Sequence, residues 1–354
     1  MPNGAINLRL AYLLCDGCGD VCAILIAPWE ATVIPTAHQH PKTHFIPLVM
    51  FFFVVTQTFA ALPRPQIPVT TLPDPITSLC SRADSGDPVA IQQLREYLLR
   101  HDSSSPNYDI AIGWLRSRAA SGSANAEFLL GYLLEHGHGV PRDLPQAVAN
   151  YQDASARGNS FAQNNLAYLY QRGLGLPRDP RKARELYLAS ARQNNSAAQT
   201  NLASMYYIGD GVSRDPAEAA RWFLAAANQG DPIAQHDLGV LYYRGEGVRK
   251  DLPAAAKWIG LAATQSLASA ETDLAFLYET GSGLSQDEFA AYLWYSRALA
   301  AGDSAGASHR DAIARHLNAK QRDEAHALAT TSLAPPDTGS FAPGYALSIL
   351  PVRH

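Results

Sequence analysis

Gly139, Gly175, Gly211, Gly247 and Gly283 stand 36 residues apart, with no insertion or deletion between them. Around each glycine the same frame returns. A small residue comes first (Ala126, Ala162, Ala198, Ala234, Ala270), then a leucine (Leu130, Leu166, Leu202, Leu238, Leu274). After the glycine come an aspartate (Asp143, Asp179, Asp215, Asp251, Asp287) and an alanine (Ala147, Ala183, Ala219, Ala255, Ala291). A fixed period of about 20 to 50 residues marks a chain of small units, none able to bury its apolar face except against a neighbour. That architecture is a solenoid.

The unit at 198–230 shows what is stacked. Ala198, Leu202, Met205 and Tyr206 fall at i, i+4, i+7 and i+8, one face of a helix. Ile208-Gly-Asp-Gly ends that helix, because glycine enters positive φ without steric cost, and Val212 tucks back as the apolar contact of the turn. Asp215 caps a second helix, Pro216 takes its first position and Glu218 the capping-box place. Ala219, Trp222, Phe223 and Ala226 form its apolar stripe. Asn228-Gln-Gly230 closes the unit, and Asp231-Pro232 caps the next.

A degenerate copy precedes the five clear ones. Gly86 lies 36 residues before Gly122, which lies 36 before Gly158. Ala90, Leu94, Ala111 and Trp114 keep the frame, while Asp102-Ser-Ser-Ser-Pro-Asn107 replaces the glycine turn. Terminal units are atypical because one side meets water. The expected fold is all-α: a right-handed α-α superhelical solenoid of about six 36-residue helix-turn-helix repeats over 86–302. A C-terminal capping helix pair follows at 303–329, carried by Ile313, Leu317 and the capping box Asn318-Ala-Lys-Gln321. Residues 330–354, rich in proline, glycine and serine, read as a disordered tail.

Residues 1–44 stand apart from the solenoid. Cys15, Cys18 and Cys22 are followed by His38, His40 and His44, a spacing that falls short of a complete zinc or iron–sulfur set, so neither metal nor cofactor is expected. Residues 45–60 are uncharged and mostly apolar, with Lys42 before them and Thr58-Phe59-Ala60 at the exit. That order is a secretory signal peptide and places the start of translation nearer Met50 than Met1. A membrane anchor needs roughly 20 apolar residues, and Pro47 and Gln57 interrupt this run, so contact with a membrane is expected only if the segment is retained. Pro63, Pro65, Pro68, Pro73 and Pro75 make 61–78 a semi-rigid spacer. The expected location is the bacterial periplasm or the medium.

The frame A-x3-L-[GA]-x2-[YL]-x2-G-x-G-[VL]-x2-D-x3-A resembles the Sel-1-like repeat family, relatives of the tetratricopeptide repeats. Ala234-Gln-His-Asp-Leu-Gly-Val-Leu-Tyr-Tyr-Arg-Gly-Glu-Gly-Val-Arg-Lys-Asp251 is close to the family pattern, and the match covers 126–302. The resemblance implies a fold and is nearly silent on activity, since the matching residues build the core. A branch of the family with a disulfide in each unit has been linked to β-lactam binding; four cysteines cannot supply that here.

Chemistry is sparse. Gly302-Asp-Ser304-Ala-Gly306 fits the nucleophile elbow, but that motif needs a strand before it, and here a helix precedes and Gly302 closes a repeat. Glu135-His136-Gly-His138 sits beside an obligatory glycine turn. No catalytic residue is assigned and no enzyme is expected. With 28 Lys and Arg against 32 Asp and Glu, the chain lacks the basic footprint of a nucleic-acid binder. What remains is a surface. The family's packing would put the first helix of each unit on the concave face, where Phe128, Tyr132, Asn164, Tyr168, Arg172, Tyr207, His236, Tyr243, Arg244 and Phe276 are the candidate groove residues. Interfaces favour tyrosine and arginine. The expected role is an exported scaffold for a protein or peptide partner. The alternative is a periplasmic envelope enzyme or enzyme regulator acting on cell-wall or β-lactam substrates, and a host-facing role reads the same in sequence.

Overall fold

The computed structural model describes residues 10–13, 22–25, 76–84 and 87–330. The chain divides into two compact units, residues 1–66 and 67–354. In the first, β1 (Leu10–Leu13) pairs antiparallel with β2 (Cys22–Leu25), Leu10 opposite Leu25 and Leu13 opposite Cys22. The cysteine and histidine cluster apart from the Cys22 backbone, the apolar 45–60 run, the prolines up to Pro75 and the tail from 331 lie outside the described residues.

The second unit is helical, with fifteen helices among the described residues. Five pairs form the regular array: α4 (Ala124–His136) with α5 (Leu144–Ala156), α6 (Ser160–Arg172) with α7 (Pro180–Ala191), and α8 (Ser196–Ile208) with α9 (Pro216–Ala227). Then come α10 (Pro232–Arg244) with α11 (Leu252–Thr264), and α12 (Ala268–Thr280) with α13 (Glu288–Ala300). Before them lie α1 (Ile76–Asp84), α2 (Pro88–Arg100) and α3 (Tyr108–Ala120); after them α14 (Ala307–Ile313) and α15 (Ala319–Ala329). Helix α1 starts directly after Pro75, within the stretch read as an extended spacer. The prolines stop there, and nothing in Ile76-Thr-Ser opposes a helix.

Each second helix is capped as its sequence demands. Asp143, Asp179, Asp215, Asp251 and Asp287 accept bonds from first-turn amides. Such a cap contributes about 1 kcal/mol, too little to hold a 13-residue helix in water, so burial decides. Tyr151, Tyr187, Phe223, Ile259 and Tyr295 fill one repeated position of the second helices at 1% exposure or less. Ala162, Ala198, Ala234 and Ala270 are fully buried on the first helices, letting neighbours approach closely.

Glu218 does not complete a capping box. The N–H of Asp215 already donates to Tyr206 O at 2.8 Å, and the Glu218 carboxylate accepts from Trp222 Nε1 at 3.0 Å and Arg221 at 2.8 Å. The backbone bond recurs: Asp143 to Leu134, Asp179 to Tyr170, Asp251 to Tyr242 and Asp287 to Tyr278. Each capping aspartate therefore ties its helix to a carbonyl nine residues back on the first helix. At the C-terminal end Asn318 and Gln321 do form a reciprocal capping box, and Arg322 donates to Ala314 O and Leu317 O, satisfying carbonyls below α15.

The two glycines of each turn serve different ends. Gly209 is the left-handed C-cap of α8, φ 82°. Gly247 (φ 70°) lies on the preceding repeat, where a Cβ would come 2.1 Å from Pro216 O; at Gly283 the same atom would meet Leu252 O at 2.1 Å. Gly230 also has positive φ, 93°, but faces open space. Gly230→Ala should cost about 1 kcal/mol, the backbone penalty alone. Gly247→Ala adds an overpacking term and should cost about 3 kcal/mol, read as urea unfolding by circular dichroism. Equal losses would show that inter-repeat contact does not set the requirement.

Candidate binding surface

Successive first helices touch side chain to side chain: Phe128 with Phe161 at 5.6 Å between rings, Asn201 with Asn164 at 3.1 Å, Tyr243 with Phe276 at 6.5 Å. The first helices thus share one side of the stack, the side that the family's packing would make the inner one. Much of its polar chemistry is internal. Gln163, Gln199 and Gln235 occupy one repeated, buried position. Each accepts a bond from the glutamine that closes its own repeat: Gln193 at 2.8 Å, Gln229 at 2.7 Å, Gln265 at 2.8 Å. Gln199 and Gln235 also donate to Ala191 O and Ala227 O of the preceding repeat, each at 3.2 Å. At the two ends a glutamate replaces the glutamine and an arginine answers it, Arg157 with Glu127 at 3.5 Å and Arg297 with Glu271 at 3.2 Å.

Two candidate groove residues belong to this interior. Asn164 is 3% exposed and accepts from Asn201 Nδ2. His236 is fully buried, its Nε2 2.9 Å from Asp273 Oδ2 and its Nδ1 3.4 Å from Asp237 Oδ1. Helix phase placed them on the inner side but not their depth, and polar residues are buried where partners satisfy them. Burial alone would push the His236 imidazole down; the hydrogen bond to Asp273 and the charges of Asp273 and Asp237 outweigh it and raise it to about 9, although Nδ1 itself meets no hydrogen-bond partner.

Tyr207 and Arg244 are brought together as a strut. Tyr207 donates to Glu246 at 3.0 Å and accepts from Arg244 at 3.1 Å, while Arg214 reaches Glu246 at 3.0 Å and lies over the Tyr207 ring. One repeat earlier Arg178 and Gln171 clasp Asp210 at 2.6 and 3.0 Å. A second pattern spans the repeats. Where the second helix carries Tyr151, Tyr187 or Tyr295, its hydroxyl meets Glu135, Gln171 or Glu279 on the first helix at 2.7, 3.2 and 2.7 Å. Where it carries Phe223 or Ile259, the first-helix position is Tyr207 or Tyr243. Burial, aided by the neighbouring glutamates, pushes the phenols of Tyr151 and Tyr295 far up, so they stay neutral donors. Both patterns were visible at 36-residue spacing once hydrogen-bonding types, and not only apolar ones, are aligned.

The remaining candidates lie at the surface. Phe128, Tyr132, Tyr168, Tyr243 and Phe276 are half-buried and Arg172 is exposed, 5.9 Å from the Tyr168 ring. His136 stacks on Tyr132 at 4.2 Å. Its neighbours diverge from any common centre: Glu135 turns to Tyr151, and His136 Nδ1 lies 3.0 Å from Tyr132 O. Ser304 lies between α13 and α14, with helix on both sides in place of the strand that an elbow requires. Gly306 answers to packing, since a Cβ would meet the Tyr295 ring at 2.1 Å. Among the described residues no three metal-ligating side chains converge.

Fold and surface define a helical-repeat scaffold of stacked antiparallel pairs. The Sel1 repeat profile matches residues 124–159, 160–195, 196–231, 232–267 and 268–303, and the chain belongs to that family. Among solved structures it is similar to c5321, a protective antigen of uropathogenic Escherichia coli with an SLR fold. The identity is 30% and the TM-score 0.62, over 72% of this chain and 55% of that one. A Sel1 repeat protein from Oxalobacter formigenes is 28% identical at TM-score 0.54, over 63% of this chain and 94% of that one. This chain thus spans little more than half the length of the first relative. No curated protein matches it.

The buried imidazolium has a pH signature. Because its pKa is raised on folding, its stabilisation is complete below the unfolded value of 6.5 and is lost as pH rises towards 9. Urea stability should fall across that window by about 3 kcal/mol, and His236→Gln should be less stable at pH 6 with a flat profile above it. A native profile as flat as the variant's would remove the charge from His236.

Proposed function

We propose that this chain is a non-enzymatic scaffold that holds a protein or peptide segment along the inner, first-helix side of its solenoid. The observation that carries the reading is the row left over once internal bonds are assigned. Phe128 and Tyr132 lie in the first repeat, Tyr168 in the second, Tyr243 in the fourth and Phe276 in the fifth, all half-buried. Aromatic rings that keep one edge in water lose little entropy on contact and dominate interface energetics. Sel1 repeats generally mediate protein–protein interactions, which supports the same reading.

Export is part of this proposal. It rests on the apolar run at 45–60 with small residues at its exit, and a 30% identical relative being a protective antigen agrees with it. The partner is then a protein met outside the cytoplasm, with membrane contact only if the 45–60 segment is retained.

Crosslinking the purified native chain to its partner, with the adduct identified by mass, supplies the ligand for a quantitative assay. The triple variant Tyr168→Ala, Tyr243→Ala, Phe276→Ala should keep its helical circular dichroism and bind at least tenfold more weakly, about 1.4 kcal/mol. Tyr207→Phe, which touches the strut, should lower stability and leave affinity unchanged. Full affinity in the folded triple variant would move the interface off the inner side.

A further inference from the structure

Two of the seams between successive first helices are closed by a polar triad at the same three positions, and the two triads are chemically unlike. Between the second and third repeats Asn164 donates to Asn165 Oδ1 at 3.1 Å and accepts from Asn201 Nδ2 at 3.1 Å. Two repeats further on, between the fourth and fifth, the three positions hold His236, Asp237 and Asp273. There His236 Nε2 lies 2.9 Å from Asp273 Oδ2 and Nδ1 3.4 Å from Asp237 Oδ1, with all three side chains fully buried. One joint is amide to amide. The other is an imidazole between two carboxylates.

Amides keep their bonds whatever the pH, whereas the ionic joint depends on one proton. Burial disfavours the imidazolium, yet the two carboxylates hold it, and its titration moves up to about 9. Once that proton leaves, two buried carboxylates face a neutral ring, and a buried charge that loses its partner is strongly destabilising. The charges nearby are committed elsewhere. On α10 Arg244 donates to Tyr207 at 3.1 Å, and Asp231, held above the usual carboxylate range by burial, caps the helix. Against α10 pack α9, where Glu218 and Arg221 pair at 2.8 Å, and α11, whose Lys257 lies over the Trp258 ring. On α12 Glu271 takes Arg297 at 3.2 Å, and Glu279 takes Tyr295 and His309 at 2.7 and 2.9 Å. Helix α8 carries no charged residue.

We propose that the joint between the fourth and fifth repeats is a proton-operated hinge. With the imidazole charged, α10 and α12 are locked together. When its proton passes to solvent, Asp237 and Asp273 lose their common partner and the joint opens, while the repeats on either side stay folded. The asparagine joint two repeats earlier stays shut throughout, so the solenoid divides at one place. The sense follows from the upward shift: the lock is complete below the free imidazole value of 6.5 and is lost as pH rises towards 9. Tyr243 on α10 and Phe276 on α12 meet across this joint at 6.5 Å, so opening also parts those two rings. The hinge follows from the buried triad and stands whether or not the first-helix side binds a partner.

The test is hydrogen exchange of the full chain, read by mass on fragments from each helix and corrected for the intrinsic pH dependence of amide exchange. Between pH 6.5 and pH 9 the amides of α10 and α12 should lose about tenfold or more in protection. Those of α6 and α8, joined by the asparagines, should change by less than about twofold. The triple variant His236→Asn, Asp237→Asn, Asp273→Asn copies the asparagine joint. It should keep its helical circular dichroism and show protection in α10 and α12 that no longer varies with pH. His236→Gln, a second variant that leaves both aspartates in place, should exchange at the open level in α10 and α12 already at pH 6.5. Protection that holds to pH 9 in the native chain overturns the proposal, as does native protection in His236→Gln. A loss spread evenly over all helices makes the effect one of global stability and overturns the hinge. A pH-dependent loss that persists in the folded triple variant assigns the titration to another group and overturns it too.

Discussion

The close approach of each turn to the repeat before it sets the terms for the rest of the molecule. At Gly247 and Gly283 the backbone lies so near the first-turn carbonyls of α9 and α11 that no Cβ fits. Contact at that point fixes how far apart successive pairs can sit, and the bond from each capping aspartate to a carbonyl nine residues earlier fixes the angle within a pair. With both set, an inserted residue would displace every later contact. The unbroken 36-residue period follows from that geometry.

Polar groups inside the stack hold its register. A buried amide without a partner costs a few kcal/mol, so Gln163, Gln199 and Gln235 are tolerable only where the closing glutamine of their own repeat reaches them. Asn164 with Asn201 and His236 with Asp273 repeat the device between neighbouring repeats. Alanine-rich helix faces are nearly interchangeable and would allow sliding; these pairs penalise it. The same internal use buries His236 and Asn164, while half-buried Tyr207 and exposed Arg244 bond to Glu246 and to each other.

Departures from the repeat leave the surface open at one end and close it at the other. The regular interior is closed by its own symmetry, whereas the N-terminal unit lacks the glycine turn and leaves a cavity walled by Trp114, Phe128 and Phe161. At the other end α15 covers α13, with Tyr292 and His326 3.0 Å apart, and the stack is sealed. The half-buried aromatics between these ends stand on a rigid frame, which on the reading proposed above would hold an extended partner with little ordering cost.

Sequence alone determined the repeat, the helix boundaries at Gly209 and Asp215, the capping box at Asn318 and Gln321 and the family, because these depend on local φ, on cap chemistry and on apolar spacing. It also held the Tyr151–Glu135 and Phe223–Tyr207 exchange and the glutamine row, legible only when polar positions are compared repeat by repeat. The depth of a side chain was decided by tertiary structure. Position on the inner face is a matter of helix phase and is the same for His236 as for Tyr243; what buries one and leaves the other half open is how closely the next helix packs over it. The cavity is of the same kind, since it arises where two helices fail to meet, and no single helix encodes a gap between helices.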